Sequence, residues 1–341
     1  MSSAQLTQNP IETGLPTVMV LGTGGTIASS GSVATQLSDY TVGQGVDALI
    51  AAVPELQSLA KFKYEQVSNI VSYQIGDEIL LRLAQRVNHW LAQPEITGVV
   101  ITHGTDTLEE TAYFLNLVVQ SDKPVVLVGA MRPATAISAD GPLNLFHAVV
   151  VAVNKQSVGR GVMVVMNDRI LAARYVMKGH TTGVDAFIVP EQGVLGVVSD
   201  RDVQYFNQTS RVHTIHSALH LDPALKSLPP VDIVYEFQGA GVHMYEAALQ
   251  AGAKGIVLAG MGNGNLSDAA RAGAMQAAAK QVAFVRSSRV SQGSVRPSKK
   301  DAEFNCIAAQ SLNPQKARIL LRLALLKTQD REALQAIFNA Y

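Results

Sequence analysis

Seven short runs of apolar and β-branched residues recur along the chain: "TVMVLG", "GVVITH", "PVVLVGAM", "GVMVVMN", "VDIVYEF", "KGIVLAG" and "QVAFVRS". Runs of this length with little polar alternation suit strands buried on both faces, and parallel strands need a crossover, usually a helix, between neighbours. Ile79, Leu80, Leu83, Val87, Trp90 and Leu91 recur at helical spacing between two of the runs, and Ala247, Ala248 and Leu249 mark another helix-like stretch. The pattern predicts an α/β fold, an open and mainly parallel sheet with flanking helices. With 341 residues, 48% of them apolar, the chain has material for two cores. Residues 206 to 230 break the alternation with paired prolines and three histidines, and a new strand signal starts at Val231. The expected division is an N-terminal extension (1–16), a larger N-terminal domain (17–205), an interdomain linker (206–230) and a smaller C-terminal α/β domain (231–341).

Lys plus Arg equals Asp plus Glu at 27 each, so no net field draws nucleic acid or an anionic membrane to the surface. A small uncharged or zwitterionic partner fits better. The single cysteine, Cys306, excludes an intrachain disulfide framework and a thiolate-rich metal site. No apolar run approaches the roughly 20 residues that span a bilayer. The opening "MSSAQLTQNPIETGLP" has no basic segment followed by an apolar one, so the expected compartment is the cytoplasm, or the periplasm if a leader has been removed.

Two glycine-flanked threonines stand out at strand exits. "LGTGGTIASSG" follows the first strand but fails as a dinucleotide motif, because the third glycine would fall at Ile27, and no Lys-Ser/Thr pair makes a phosphate loop. A tight turn remains, in which Gly24 and Gly25 bring backbone amides close to a bound group beside Thr26. "VVITHGTDTLEET", Val99 to Thr111, leaves another strand. Thr107 with Glu110 has the spacing of a capping box, and Asp106 with Glu109 offers a second register. Capping does not account for Gly104 and Thr105, which sit at the carboxyl end of a strand, where ligands of open α/β sheets collect. A threonine hydroxyl needs a base to become a nucleophile, and a lysine can serve if its surroundings lower its pKa.

Other constellations carry less. His213, His216 and His220 lack a carboxylate at matching spacing and read as solvated linker residues rather than metal ligands. Neither a Gly-x-Ser-x-Gly elbow nor a His-Glu-x-x-His helix is present. Residues 28 to 45, rich in Gly, Ser, Ala and Thr, suit a mobile loop.

Taken together, "TGGTIA" (Thr23 to Ala28), "DYTVG" (Asp39 to Gly43), "ITHGTDTLEETA" (Ile101 to Ala112), "VGAMRP" (Val128 to Pro133), "VMND" (Val165 to Asp168), "GNGNL" (Gly262 to Leu266), "RSSRV" (Arg286 to Val290) and "LNPQKAR" (Leu312 to Arg318) resemble the bacterial L-asparaginase and glutaminase-asparaginase family. The resemblance is closest to its type II branch and runs in order from about Thr17 to Tyr341. It implies hydrolysis of L-asparagine to L-aspartate and ammonia without cofactor or metal. It also implies Thr26 as nucleophile with Tyr40 beside it, and Thr105, Asp106 and Lys178 as a second catalytic group, in which Lys178 assists proton transfer through Thr105 and Asp106 binds the substrate's α-amino group. Ser72 resembles the residue that holds the α-carboxylate. Gly25 and Ala130 sit where backbone groups contact the scissile amide, and Gly104 lets the backbone approach the substrate. Asn265 and Glu303 resemble contacts donated by a partner subunit, which implies a homotetramer built as two intimate dimers with shared sites.

The chain also departs from the family. Tyr73 stands where the family usually carries Gln or Glu near the α-amino group, and its bulk predicts a preference for asparagine over glutamine. "SVRPSKK" before Asp301 is longer and more basic than usual, and His180 follows Lys178 where a smaller polar residue is common. Rival readings are a glutaminase, the ammonia-supplying subunit of transfer-RNA amidation, which normally carries an added N-terminal domain, and a silent amino-acid sensor on the same fold.

Overall fold

The computed structural model describes residues 14–35 and 41–341. Its first strand, β1 (Thr17–Gly24), leads to a small ribbon of β2 (Ser29–Ser30) and β3 (Thr41–Val42), after which the chain returns as β4 (Lys61–Ile70). Then follow β5 (Ile96–Thr102), β6 (Val125–Val128), β7 (Val162–Met166) and β8 (Arg169–Ala172). Beyond them come the two-residue strands β9 (Met177–Lys178) and β10 (Phe187–Ile188), which pair with each other, and the hairpin β11 (Gly196–Ser199) and β12 (Asp202–Tyr205).

Eight strands form one sheet in the order β12-β11-β8-β7-β6-β5-β1-β4. β4, β1, β5, β6 and β7 are parallel, whereas β8, β11 and β12 extend the sheet antiparallel. From β1 the chain builds first to one side, as β4, and then to the other, as β5. The crevice between the ends of β1 and β5 is therefore the topological switch point, where open α/β sheets bind ligands.

Both faces of this sheet are covered, which explains the unbroken apolar runs. Met19, Leu21, Val99, Ile101, Leu127 and Val164 face one cluster, under the helices Asp77–Leu91 and Leu108–Val118. Val18, Val20, Val100, Val126, Met163 and Val165 face the other, under the helix Gly141–Val153. The ten-residue β4 gave no strand signal, because it is an edge strand on which Val67 alone is buried and charged residues are tolerated.

The C-terminal sheet is a parallel set of β13 (Val231–Tyr235), β14 (Gly255–Gly260), β15 (Ala283–Ser288) and β16 (Cys306–Ala308), in that order. One of its faces has its own core around Val234, Ile256, Leu258 and Phe284. Its other face, with the helix Pro314–Ala324, merges into the first cluster of the large sheet through Val257, Val285, Ile307 and Leu320. A continuous apolar core thus fixes one sheet against the other. The stretch 206–230 lies across this junction, with Leu219 and Leu228 in the shared core. His213 is buried there, its Nδ1 2.9 Å from the Thr214 hydroxyl, which corrects its reading as a solvated residue, while His216 and His220 are exposed. No helix among the described residues is long and apolar enough to cross a membrane.

Candidate active site

The two threonine loops meet at the switch point. β1 ends in Gly24 and Gly25, with φ of 102° and 84°, values that favour glycine. A Cβ placed on Gly25 would lie 2.2 Å from Gly104 Cα and 2.3 Å from Gly104 N. The two backbones pack against each other, and only glycine leaves room. Gly25 N donates to Ile70 O at 3.0 Å and Ser29 Oγ donates to Gly25 O at 2.8 Å, so the turn is pinned from both sides. Thr26 then opens a single 3₁₀ turn, Thr26–Ala28, and is 7% exposed.

The second loop leaves β5, the parallel neighbour of β1. The Thr23 hydroxyl donates to Thr102 O at 2.9 Å and ties the two strand ends together. His103 is fully buried, with Nδ1 2.7 Å from Gly104 O. A carbonyl only accepts, so Nδ1 carries the proton. Burial pulls this imidazole down to about 4, and it is neutral.

Thr105, 5% exposed, accepts a hydrogen bond from Lys178 Nζ at 2.9 Å, and the same ammonium donates to Asp106 Oδ1 at 2.6 Å. Residues 73 positions apart in sequence are thereby joined, because β9 passes over the end of the helix that follows the Thr105 loop. Glu109, on the first turn of that helix, accepts from Lys178 N through Oε2 at 2.6 Å. Its other oxygen accepts from Asn313 Nδ2 at 2.8 Å and Gln315 Nε2 at 2.9 Å, side chains of the C-terminal domain.

Ser72, in a 3₁₀ turn after β4, reaches the same place. Its hydroxyl oxygen accepts from Asp106 N at 3.2 Å and Thr107 N at 3.4 Å, and Thr107 Oγ1 donates to Ser72 O at 2.9 Å. This corrects the capping-box expectation: Thr107 is the N-cap residue but makes no side-chain cap, since its hydroxyl is committed to Ser72. Ser72 binds the orphan amides from outside the helix. Glu109 likewise serves Lys178 rather than a cap. Glu110 is partly buried beside it, and burial followed by the Glu109 charge pushes its carboxyl up.

Ala130 follows β6 and is fully buried. Its loop is held by Asp140, which accepts from Met131 N and Arg132 N, each at 2.9 Å. A Cβ on the preceding Gly129 would meet Thr105 Cγ2 at 3.1 Å, so this third strand end abuts the second. A cleft of about 470 Å³ opens beside them, lined by Asp106, Glu109, Glu110, Lys178, His180 and Gln315. His180 Nδ1 accepts from Thr182 N at 3.0 Å and Gly183 N at 2.8 Å, which gives that residue a turn-forming role.

Among the described residues, Gly25, Thr26, Ser72, Gly104, Thr105, Asp106, Ala130 and Lys178 are thus gathered around three strand ends. Tyr73, beside Ser72, is 67% exposed. Asn265 is exposed on the tight turn after β14, where its N bonds Met261 O at 3.0 Å, and Glu303 is the exposed last residue of the short helix Lys299–Glu303. Both belong to the C-terminal domain. Tyr40 lies outside the described residues. Glu109 was legible only as a possible cap; its tie to Lys178 is a contact across 69 positions that no local spacing encodes.

Comparison with known proteins identifies the family of the chain. A family model described as "Asparaginase, N-terminal" matches residues 17–211, and one described as "Glutaminase/Asparaginase C-terminal domain" matches residues 230–338. The chain is 52% identical over 328 residues to L-asparaginase 2 of Bacillus subtilis (strain 168), covering 96% of this chain and 87% of that protein. It is 48% identical over 331 residues to the probable periplasmic L-asparaginase of Haemophilus influenzae (96% and 93% covered). A crystal structure of a probable cytoplasmic L-asparaginase from Campylobacter jejuni superposes with a TM-score of 0.93 at 47% identity, covering 96% of this chain and all of that one. Two of these three names give different compartments, and all three are names of L-asparaginases; a glutaminase-asparaginase of Pseudomonas fluorescens biotype A is also similar, 43% identical over 343 residues (99% of this chain and 94% of that protein). With both domain models matched in order and this identity sustained over nearly the whole chain, the protein belongs to the asparaginase family.

Proposed function

We propose that the chain is an L-asparaginase, hydrolysing the side-chain amide of L-asparagine to L-aspartate and ammonia, with lower activity on L-glutamine. The observation that carries this reading is the Lys178–Thr105–Asp106 cluster packed, through the Gly25–Gly104 contact, against the loop of Thr26. Thr26 attacks the amide carbon. Backbone groups of Gly25 and Ala130 stabilise the oxyanion, a term commonly worth a few kcal/mol per donor.

Thr105 accepts from the Lys178 ammonium, so its own hydroxyl proton points elsewhere, toward the reacting centre. That proton goes to the departing nitrogen, Lys178 replaces it, and the proton that Thr26 gives up on attack returns the lysine to its ammonium form. Ammonia leaves, and water then hydrolyses the β-aspartyl ester on Thr26. Asp106 adjoins Thr105, lines the cleft and keeps more than half of its side chain exposed, and it takes the substrate's α-ammonium, while Ser72 takes the α-carboxylate. Tyr40 assists Thr26 in this scheme. Asn265 and Glu303, both exposed, complete the site of a neighbouring subunit, which makes the active unit at least an intimate dimer and the assembly a closed homotetramer.

Ammonia release from L-asparagine, with L-glutamine in parallel, tests the reading. Rapid release from asparagine, lost in Thr26→Ala and Thr105→Ala, supports it. Binding of asparagine with no release from either amide would instead favour an amino-acid sensor. A fully active monomer on a sizing column would contradict the shared site.

A further inference from the structure

We propose that Glu109 is a positioning residue for Lys178, and that through it the C-terminal domain sets the place of the lysine that serves Thr105. The inference rests on the role given to Lys178 above and extends it to the groups behind the site.

Lys178 stands on a two-residue strand whose ladder partner, β10, is equally short. Such a pair has little rigidity of its own. The additional restraint is the 2.6 Å bond from Lys178 N to Glu109 Oε2, a charge-assisted bond to a residue four positions beyond Thr105. Thr105, Asp106 and Lys178 are therefore all referenced to one helix start, Leu108–Val118.

Glu109 is 4% exposed, and burial of a charged group is costly unless its acceptor sites are filled. Three donors fill them: Lys178 N, Asn313 Nδ2 and Gln315 Nε2. The Lys316 ammonium adds a nearby positive charge; it is buried and bonded to the carbonyls of Arg174 and Val176, in the segment that leads into β9. Asn313 cannot reverse its amide, because its Oδ1 caps the helix Pro314–Ala324 by accepting from Lys316 N at 3.1 Å. All three groups around Glu109 thus present donors, and only an ionised acid answers them. Glutamine has the same shape but would turn an N–H₂ toward a fixed donor.

The test compares Glu109→Gln, Lys178→Met and the double variant in ammonia release, pH–rate profile and thermal midpoint. Glu109→Gln is expected to lower kcat by ~10- to 100-fold, the scale of a small misplacement of a reacting group, with KM for asparagine changed by less than about threefold. The limb of the pH profile that disappears in Lys178→Met should shift in Glu109→Gln. The double variant should be no slower than Lys178→Met, because Glu109 acts through the lysine. Losses that multiply in the double variant, or a wild-type kcat and pH profile in Glu109→Gln, would overturn the assignment. If Glu109→Gln does not fold, Asn313→Ala with Gln315→Ala removes the other side of the link, and an unchanged kcat there would overturn it equally. Full activity in Lys178→Met would sink the reading of the lysine itself, an outcome distinct from a crippled Lys178→Met beside an intact Glu109→Gln.

Discussion

The loops of Thr26 and Thr105 leave adjacent parallel strands, carry the same glycine-threonine step, and are held in place by different forces. The Thr26 turn rests on backbone geometry: two glycines at positive φ, a main-chain bond to Ile70, and close packing against Gly104. The Thr105 loop rests on polar side chains: Lys178, Asp106, Glu109 and Ser72. The difference follows the work proposed for each. A nucleophile must be approached by substrate, and backbone constraints fix it without crowding it. A proton-handling group needs charges at set distances, and those are supplied by residues far apart in the chain.

Removing the hydroxyls has the largest expected effect. Thr26→Ala and Thr105→Ala should each lower kcat by at least ~10³, and the double variant should fall no further than the slower single, as groups acting in one unit do. Multiplied losses would mean that the loops act separately.

Next comes the backbone that joins them. Gly25→Ala puts a methyl 2.2 Å from Gly104 Cα at a φ of 84°, so a loss of about 2–4 kcal/mol in stability is expected from strain and overpacking, together with most of the activity. Gly76→Ala, where nothing lies within 4 Å of the added carbon, is the control and should unfold at nearly the wild-type denaturant concentration.

Acid sharpens the contrast at the other loop. Buried His103 binds a proton only at about 4, whereas in the unfolded chain it does so near 6.5. Between those values the unfolded state holds the extra proton, so stability is complete above 6.5 and declines as the pH falls toward 4, by up to about 3 kcal/mol from this group. In His103→Asn, whose amide can still donate to Gly104 O, the denaturation midpoint should shift less between pH 7 and 4.5. An equal shift would remove His103 from the account. The smallest effect is expected at Tyr73, which is mostly exposed: Tyr73→Gln should raise the glutamine-to-asparagine rate ratio by no more than about tenfold, the scale of one pocket contact.

Much of this was readable from sequence. The central strands announced themselves because both faces are buried, and the two threonine motifs are dense enough to place the site at strand ends. β4, β11 and β12 were not announced, since edge and hairpin strands carry polar residues and lack the continuous apolar run, and β8, although buried inside the sheet, offers only the three apolar residues Ile170, Leu171 and Ala172. Local spacing also read the side chains of Thr107 (with Glu110) and Glu109 (with Asp106) as capping-box partners, whereas Thr107 is the N-cap residue without a side-chain cap and Glu109 bonds Lys178. Both are drawn away by partners distant in sequence, Ser72 for one and Lys178 for the other, and no window of a dozen residues contains that competition.

A crystal structure with L-aspartate, the expected product, would test the central claim that both loops build one pocket. The account predicts aspartate bridging them, with its α-ammonium on Asp106, its α-carboxylate on Ser72 and its side-chain carboxylate between the hydroxyls of Thr26 and Thr105. Aspartate bound elsewhere, or touching one threonine while the other stays out of reach, would contradict it.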